Sequence, residues 1–325
     1  MEPGVFRPRV PPLTTLPSVS CARLAVVAVA TVWLSAAPVF AQTLPAPDSI
    51  PRCEYNVRDS PAPTRVILFP DDDLFRPLLA DPKEPRTAFD YRGARAIDPQ
   101  DSTSSAAPAS QVGGIAVGGN IGIWARKVSA CHGLQVSVVG GVFAQFNMGS
   151  PSRDLINSDY IVGAQVAMRT GRFSGRVRLS HQSTHRGEDL ISQNPSTPDP
   201  NFGFQALEGL VSLDSERWRA YGGAGYVWFM NEEGSSVLVR VGGEFRSRRL
   251  LFEMARPVAG IDLSSLQSRS WGVTMSANAG VEWTSPAESR RMRLVIVFTN
   301  GYSPYGQASL HLRSRTIGAQ WQVEF

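Results

Sequence analysis

A histidine and a serine two residues apart are the strongest candidates for chemistry in this sequence. Residues 172–183 alternate between apolar and polar side chains, as a β-strand does, so His181 and Ser183 point to the same face. A histidine can take the hydroxyl proton of a serine and so activate the oxygen for attack on an ester. We expect their face to contact lipid, because it also carries Phe173, Val177 and Leu179. The pattern predicts hydrolysis of lipid esters, with Ser183 as nucleophile and His181 as base.

A third residue is needed to orient the imidazole, and the sequence offers several acids. Glu208 is the first choice because it lies on a probable neighbouring strand, while Glu188 and Asp189 in the following loop are rivals. His185 could replace His181 as the base. A plainer interpretation is that this end of the strand lies above the hydrocarbon of the membrane, where both side chains are simply hydrated.

A short resemblance to known enzymes points the same way. The segment His181-Gln182-Ser183-Thr184-His185 resembles the His-x-Ser pattern of outer-membrane phospholipase A and of the lipid A deacylase barrels. In both families a histidine and a serine two residues apart face the membrane, and an asparagine usually follows where this chain has Thr184. The resemblance implies an acyl hydrolase whose partner is outer-membrane lipid.

No cofactor is predicted, although a cation is left open. The three aspartates Asp71–Asp73 could hold calcium, but an acidic run of this kind is more often a solvated turn or the start of a helix. The four histidines and the cysteines lack the spacing of metal ligands.

The polar faces of the predicted strands suggest other functions. Arginines that would point into the lumen of a barrel could line a narrow channel for anionic solutes: Arg176, Arg178, Arg217, Arg219, Arg240, Arg246, Arg291 and Arg293. A barrel of this size encloses only a narrow lumen, so a closed interior filled by hydrogen-bonded charges is the plainer interpretation. A structural or surface-binding barrel acting through loops 98–110 and 184–201 is the third alternative.

Long alternating segments from residue 87 onward predict an all-β fold. Trp271 and Trp283 end one apolar stripe, and residues 237–246 and 291–300 alternate similarly. These segments exceed the ~5–6 residues typical of soluble strands and suit tilted membrane strands. Loop lengths give a count of about twelve strands, an even number as bacterial barrels require. In this layout, a strand at 250–257 precedes an outer loop at 258–268. We predict an antiparallel transmembrane β-barrel.

The N-terminal segment of the chain indicates export. Residues 1–41 are typical of a signal peptide, with basic residues before the apolar run 24–34 and small residues before a cut after Ala41. Residues 42–86 are rich in proline and predict a periplasmic lead-in or a partial plug. There Leu74, Phe75, Leu78 and Leu79 could form one amphipathic helical turn. Residues 87–325 then form the barrel.

Net charge and cysteine content bear on the partners and the location of the chain. Without residues 1–41 the chain loses three arginines and one glutamate, so its net charge falls from +4 to +2 and gives no reason to expect nucleic acid as a partner. Cys53 and Cys131 would both lie in the periplasm, where a disulfide is favoured over two free thiols.

The last strand carries a candidate targeting signal. Residues 317–325 alternate apolar and polar side chains and stop on Phe325. This ending resembles the C-terminal signal that the barrel-assembly machinery of Gram-negative bacteria reads, although an ordinary amphipathic edge strand would alternate in the same way. We therefore expect the assembly machinery as a partner and the bacterial outer membrane as the location.

Three segments together resemble one bacterial family, catalogued as domain of unknown function 1207. They are Leu79–Arg86, Ser180–Asp189 and Asn300–Gln307, and the resemblance spans roughly residues 67–325. It implies an exported outer-membrane protein and brings no substrate or catalytic residue.

Overall fold

The computed structural model describes residues 65–97, 110–129, 131–188, 202–229, 235–252, 254–284, 290–306 and 313–324. The predicted signal peptide, residues 42–64, and the greater part of loops 98–110 and 184–201 lie outside these ranges. Cys53 and Phe325 also lie outside them, so the expectations attached to both stay predictions.

Twelve antiparallel strands, β2 to β13, form a closed barrel in which β2 pairs with β13. The predicted fold and strand number are confirmed. A short additional strand, β1, pairs with β3 beyond the segment of β3 that pairs with β2. The strands are β1 Arg65–Leu68, β2 Thr87–Ala96, β3 Gln111–Ser129, β4 His132–Asn147, β5 Leu155–Thr170, β6 Phe173–Arg186, β7 Phe202–Asp214, β8 Trp218–Phe229, β9 Ser235–Arg246, β10 Arg256–Leu266, β11 Val273–Thr284, β12 Arg291–Tyr302 and β13 Arg313–Glu324.

The wall of the barrel is apolar outside and polar inside. On β6, Val177 and Leu179 face outward and are 53% and 52% exposed, whereas Arg176 and Arg178 face inward and are buried. This distribution is the inverse of that in a soluble protein, and it suits a wall that contacts lipid. The chain is an outer-membrane β-barrel. No helix in the described ranges is long and apolar enough to cross a membrane.

The predictions for residues 250–268 are wrong. Residues 258–268 were expected as an outer loop, but most of them belong to β10, and the apolar run before it is a turn in which Phe252 is 94% exposed. Gly260 and the two serines Ser264 and Ser265 are typical of a loop in isolation. In the barrel, β9 and β11 pair with this segment on its two edges. Asp262 accepts hydrogen bonds from Tyr221 and Arg240 on the inner wall.

Between β1 and β2 the chain enters the lumen. β3 pairs with β1 through Trp124–Lys127 and with β2 only through Gln111–Ala116. The intervening residues 70–86, which we call the plug, form neither strand nor helix and lie inside the barrel. The predicted helical turn does not form, yet its four apolar residues are all buried. Leu74, Phe75 and Leu78 pack on Ala167, Leu210 and Tyr221, while Leu79 packs on Val258 and Val295.

Candidate functional site

His181 and Ser183 lie on the outward face of β6, where the alternation of the strand predicted them. Strand register places Val162 and Gln205 directly opposite His181, on β5 and β7. Both His181 and Ser183 are partly exposed, and neither makes a hydrogen bond to another described side chain. These two polar side chains are therefore left available on the outward surface of the barrel.

The pair lies near the end of the barrel that carries the longer loops. β5 and β6 are joined by a two-residue turn, Gly171 and Arg172, whereas residues 187–201 join β6 to β7 at the other end. Long loops mark the extracellular end of a bacterial barrel. Tyr160, outward-facing and 45% exposed, lies opposite Ser183 at this end. Exposed tyrosine and tryptophan residues mark the boundary between lipid headgroups and hydrocarbon, so Ser183 lies at that boundary.

His185 is the second candidate base on this face. Its ring meets the ring of Tyr160 edge to face, with 5.6 Å between the ring centroids. Because His185 also lies two residues from Ser183, both histidines flank the serine on the same face of β6. Glu188 is exposed at the end of the described segment, and Asp189 lies outside it.

The prediction that Glu208 orients the histidine is wrong. Glu208 is buried on the inward face of β7, where its carboxylate binds Arg240 at 2.9 Å and Arg176 at 3.4 Å. The barrel wall separates it from His181. Gln205, which sequence reasoning missed, is exposed on the outward face of the same strand and lies opposite His181. Its amide oxygen can accept a hydrogen bond from an imidazole N–H, as an amide does in Cys-His-Asn sites.

Except for Arg217, the arginines predicted to line the lumen face inward and bind carboxylates. Arg176 and Arg178 each donate a hydrogen bond of 2.7 Å to the carboxylate of Glu84 in the plug. Arg240 binds Asp81, Glu208 and Asp262 at 2.9–3.0 Å. Arg293 binds Glu282 at 2.5 Å and also Glu324, whereas the more exposed Arg291 is 3.8 Å from Glu324. Arg217, by contrast, is exposed in the turn between β7 and β8.

Glu84 stays ionised in this setting. Burial alone would raise its pKa, but the neighbouring Arg176 and Arg178 guanidinium groups outweigh burial and hold the pKa of Glu84 well below its usual range. The plug therefore presents a fixed negative charge to two fixed positive charges of the wall.

Backbone groups of the plug also bind the wall. The amide of Leu74 donates to Gln135 and that of Leu79 donates to Glu244, each at 2.8 Å. Asn278 donates to the carbonyl oxygen of Leu79 at 2.6 Å. A cavity of about 40 Å³ between the plug and the wall has room for only a few water molecules. The plug therefore occupies the lumen and contacts the wall on several strands.

No metal site is evident among the described residues, which contain no group of three or more histidine, cysteine or acidic side chains able to hold an ion. Asp72 pairs with Lys127, and Asp73 accepts a hydrogen bond from Asn120. Cys131 forms a disulfide, and its predicted pairing with Cys53 stays a prediction because Cys53 is not described.

The fold and the two faces of its wall define a plugged outer-membrane β-barrel. Within that class the chain belongs to the family "Protein of unknown function (DUF1207)", whose sequence model matches residues 10–318. No curated protein sequence matches it.

Solved structures with a similar fold are bacterial outer-membrane barrels. The transport unit of the autotransporter AIDA-I from Escherichia coli is 9% identical, with a TM-score of 0.42, over 78% of this chain and 94% of that one. The β domain of the Bordetella autotransporter Brka is 12% identical, with a TM-score of 0.38, over 73% and 98%. LpxR from Salmonella typhimurium is 9% identical, with a TM-score of 0.35, over 74% and 100%. Likenesses this distant carry no argument about function.

Proposed function

We propose that this barrel hydrolyses acyl esters of outer-membrane lipid at its outward face, with Ser183 as nucleophile and His181 as base. One observation carries the proposal: His181 and Ser183 share the outward face at the level of Tyr160, with no described partner to hold them in a structural role. The ester bonds of membrane lipids lie at the boundary between headgroup and hydrocarbon, so a nucleophile there needs no extraction of its substrate from the membrane.

The chemistry proceeds in two transfers. His181 takes the hydroxyl proton of Ser183 while the serine oxygen attacks the acyl carbonyl; the ester bond then breaks, and the same proton passes to the leaving alcohol of the lipid. A water molecule next gives a proton to His181 and attacks the acyl-serine. Release of the fatty acid returns the proton to Ser183.

Gln205 supplies the orientation that Glu208 was expected to give. Its position opposite His181 in the register of β6 and β7 supports this role, because directly opposed side chains on one face of a sheet lie ~5 Å apart at their Cβ atoms. A neutral amide that accepts the second imidazole N–H leaves the other ring nitrogen free to act as a base.

The experiment is lipid release by the refolded barrel in vesicles that contain phospholipid or lipopolysaccharide, with calcium and with a chelator. We expect Ser183→Ala to abolish release, whereas Ser180→Ala, which removes an inward-facing hydroxyl from the same strand, leaves it intact. His181→Ala and His185→Ala identify which histidine is the base. A correctly folded wild-type barrel that releases no fatty acid from either lipid, with or without calcium, contradicts the proposal.

A further inference from the structure

Lipid hydrolysis at the outward face leaves the plug without a role. We propose that the plug is a gate: residues 70–86 leave the lumen in an open state, and the arginine-lined lumen then conducts small anions. This inference goes beyond the proposed function and does not depend on it, because the two sites lie on opposite sides of the wall.

The plug is built as a separate unit. None of its residues pairs with a strand of the barrel, and β1, which precedes it, holds β3 over only four residue pairs. The guanidinium group of Arg86 donates to the carbonyl oxygens of Leu78, Leu79 and Asp81 at 2.5–2.9 Å, all within the plug. These bonds would move with the plug, so it can leave the lumen without losing its own internal contacts.

Beside the apolar packing of its four buried side chains, the plug is held to the wall by ion pairs, which can be exchanged. Glu84 binds Arg176 and Arg178, Asp81 binds Arg240, and Arg76 binds Asp214. Because the attraction within a buried ion pair is offset by the loss of hydration, such pairs define a position more than they stabilise it. Water and mobile ions entering the lumen can replace them.

A latch from the extracellular side completes the closure. Lys83 pairs with Asp159 at 2.7 Å and lies over the ring of Phe143, 4.3 Å from its centroid. In the loop after β12, the amide of Gly306 donates to Asp159, and the hydroxyl of Tyr305 donates to the carbonyl oxygen of Pro82 at 3.3 Å. The loop and the plug thus share one carboxylate, so the loop holds the plug at its outer end.

The lumen that remains after opening favours anions. Departure of the plug removes Glu84 and Asp81 from Arg176, Arg178 and Arg240, which keep only Glu208 and Asp262 as carboxylate partners. In the closed state the Glu84 carboxylate occupies a two-arginine anion site. A small carboxylate or phosphate has the chemistry to occupy the same site during passage.

The test is conductance of the refolded full chain in planar bilayers with a gradient of potassium chloride. Glu84→Gln removes the charge that anchors the plug and leaves two guanidinium groups facing each other, so the open fraction should rise by roughly 100-fold over wild type. The matched control is Glu216→Gln, which removes a carboxylate from an exposed pair with Arg248 in a turn. This control should stay closed.

Two further variants keep the proposal open to refutation. Lys83→Met breaks the extracellular latch and should also open the barrel, even if Glu84→Gln fails to fold. Adding Arg176→Gln and Arg178→Gln to Glu84→Gln should preserve conductance but lower its anion preference.

The gate is refuted if folded Glu84→Gln and Lys83→Met both conduct no more than wild type, or if wild type is already open. Cation-selective currents refute the assigned solute class. If Glu84→Gln releases lipid at the wild-type rate, its conductance tests the gate independently of the proposed hydrolase activity.

Discussion

The two faces of β6 differ in how their polar groups are used. On the inward face, Arg176 and Arg178 have carboxylate partners in the plug, and Thr184 donates to Asp159 at 2.7 Å. On the outward face, His181 and Ser183 lack such partners among the described residues. Polarity alone therefore does not mark a functional residue in this barrel. Inward polar groups here bind the plug to the wall, and the unpartnered outward groups are the better candidates for chemistry.

Removal of one member of an inward ion pair should lower the stability of the barrel more than removal of an outward group. Arg176→Met leaves the buried Glu84 with Arg178 alone, and the loss of one member of a buried ion pair should lower the free energy of unfolding by about 3 kcal/mol. Urea midpoints of the refolded barrel would show the loss. Ser183→Ala, on the opposite face of the strand, should leave the midpoint unchanged. Equal effects of the two substitutions would remove the distinction between the faces.

Loss of the Gln205 side chain should lower the rate of lipid release. Gln205→Ala should lower kcat for lipid release by roughly 10- to 100-fold while leaving KM nearly unchanged, because positioning of the base matters most in the transition state. Leu207→Ala, two residues further along the same outward face, is the control. A conservative Gln205→Glu variant should recover activity. A rise in KM alone would instead assign Gln205 to substrate binding.

A smaller effect concerns the pH dependence of the inward network. Burial, with smaller contributions from Glu324, Glu84 and Asp72, raises the pKa of Asp73 to about 7 against the opposing hydrogen bond from Asn120. A carboxyl whose pKa is raised on folding contributes stability at low pH that is lost as the pH rises through 7. We expect wild type to lose on the order of 1 kcal/mol between pH 4 and 8 from this group, since its partial exposure weakens the effect. Asp73→Asn should flatten that part of a plot of stability against pH.

The smallest effect should come from an ion pair outside the lumen. Arg248 and Glu216 are 2.6 Å apart in turns, with both side chains substantially exposed. Arg248→Ala should change the free energy of unfolding by less than about 0.5 kcal/mol, because water and salt screen exposed pairs. A loss comparable to that of Arg176→Met would mean that burial is not what separates the two kinds of ion pair.

Most of the wall could be predicted from the sequence because alternation is a local property. Residues 291–300 and 237–246 face as their alternation indicated, with Arg293 and Arg246 inward. β10 was missed because Gly260 and its two consecutive serines are typical of loops, whereas pairing with β9 and β11 depends on a register that the composition of the segment does not define.

The site could be predicted only in part, for a related reason. The shared face of His181 and Ser183 follows from their spacing, whereas the residue opposite His181 depends on the register between β6 and β7. The fifteen residues between these strands leave that register undefined by sequence alone. Glu208 was expected to orient His181 because it lies on a neighbouring strand, but it faces inward, and the register places Gln205 opposite His181.

The position of the plug within the chain has a consequence for the order of folding. Asp90 on β2 accepts a hydrogen bond from Gln320 on β13, across 230 residues, and the plug carbonyl of Leu79 meets Asn278 across 199. Contacts so distant in sequence are slow to form, since a long loop must close before either is made. The plug directly precedes β2, one of the two strands that seal the ring. The plug is therefore tethered beside the lumen when the ring closes, and its contacts with Glu244 and Asn278 form only once those later strands are in place.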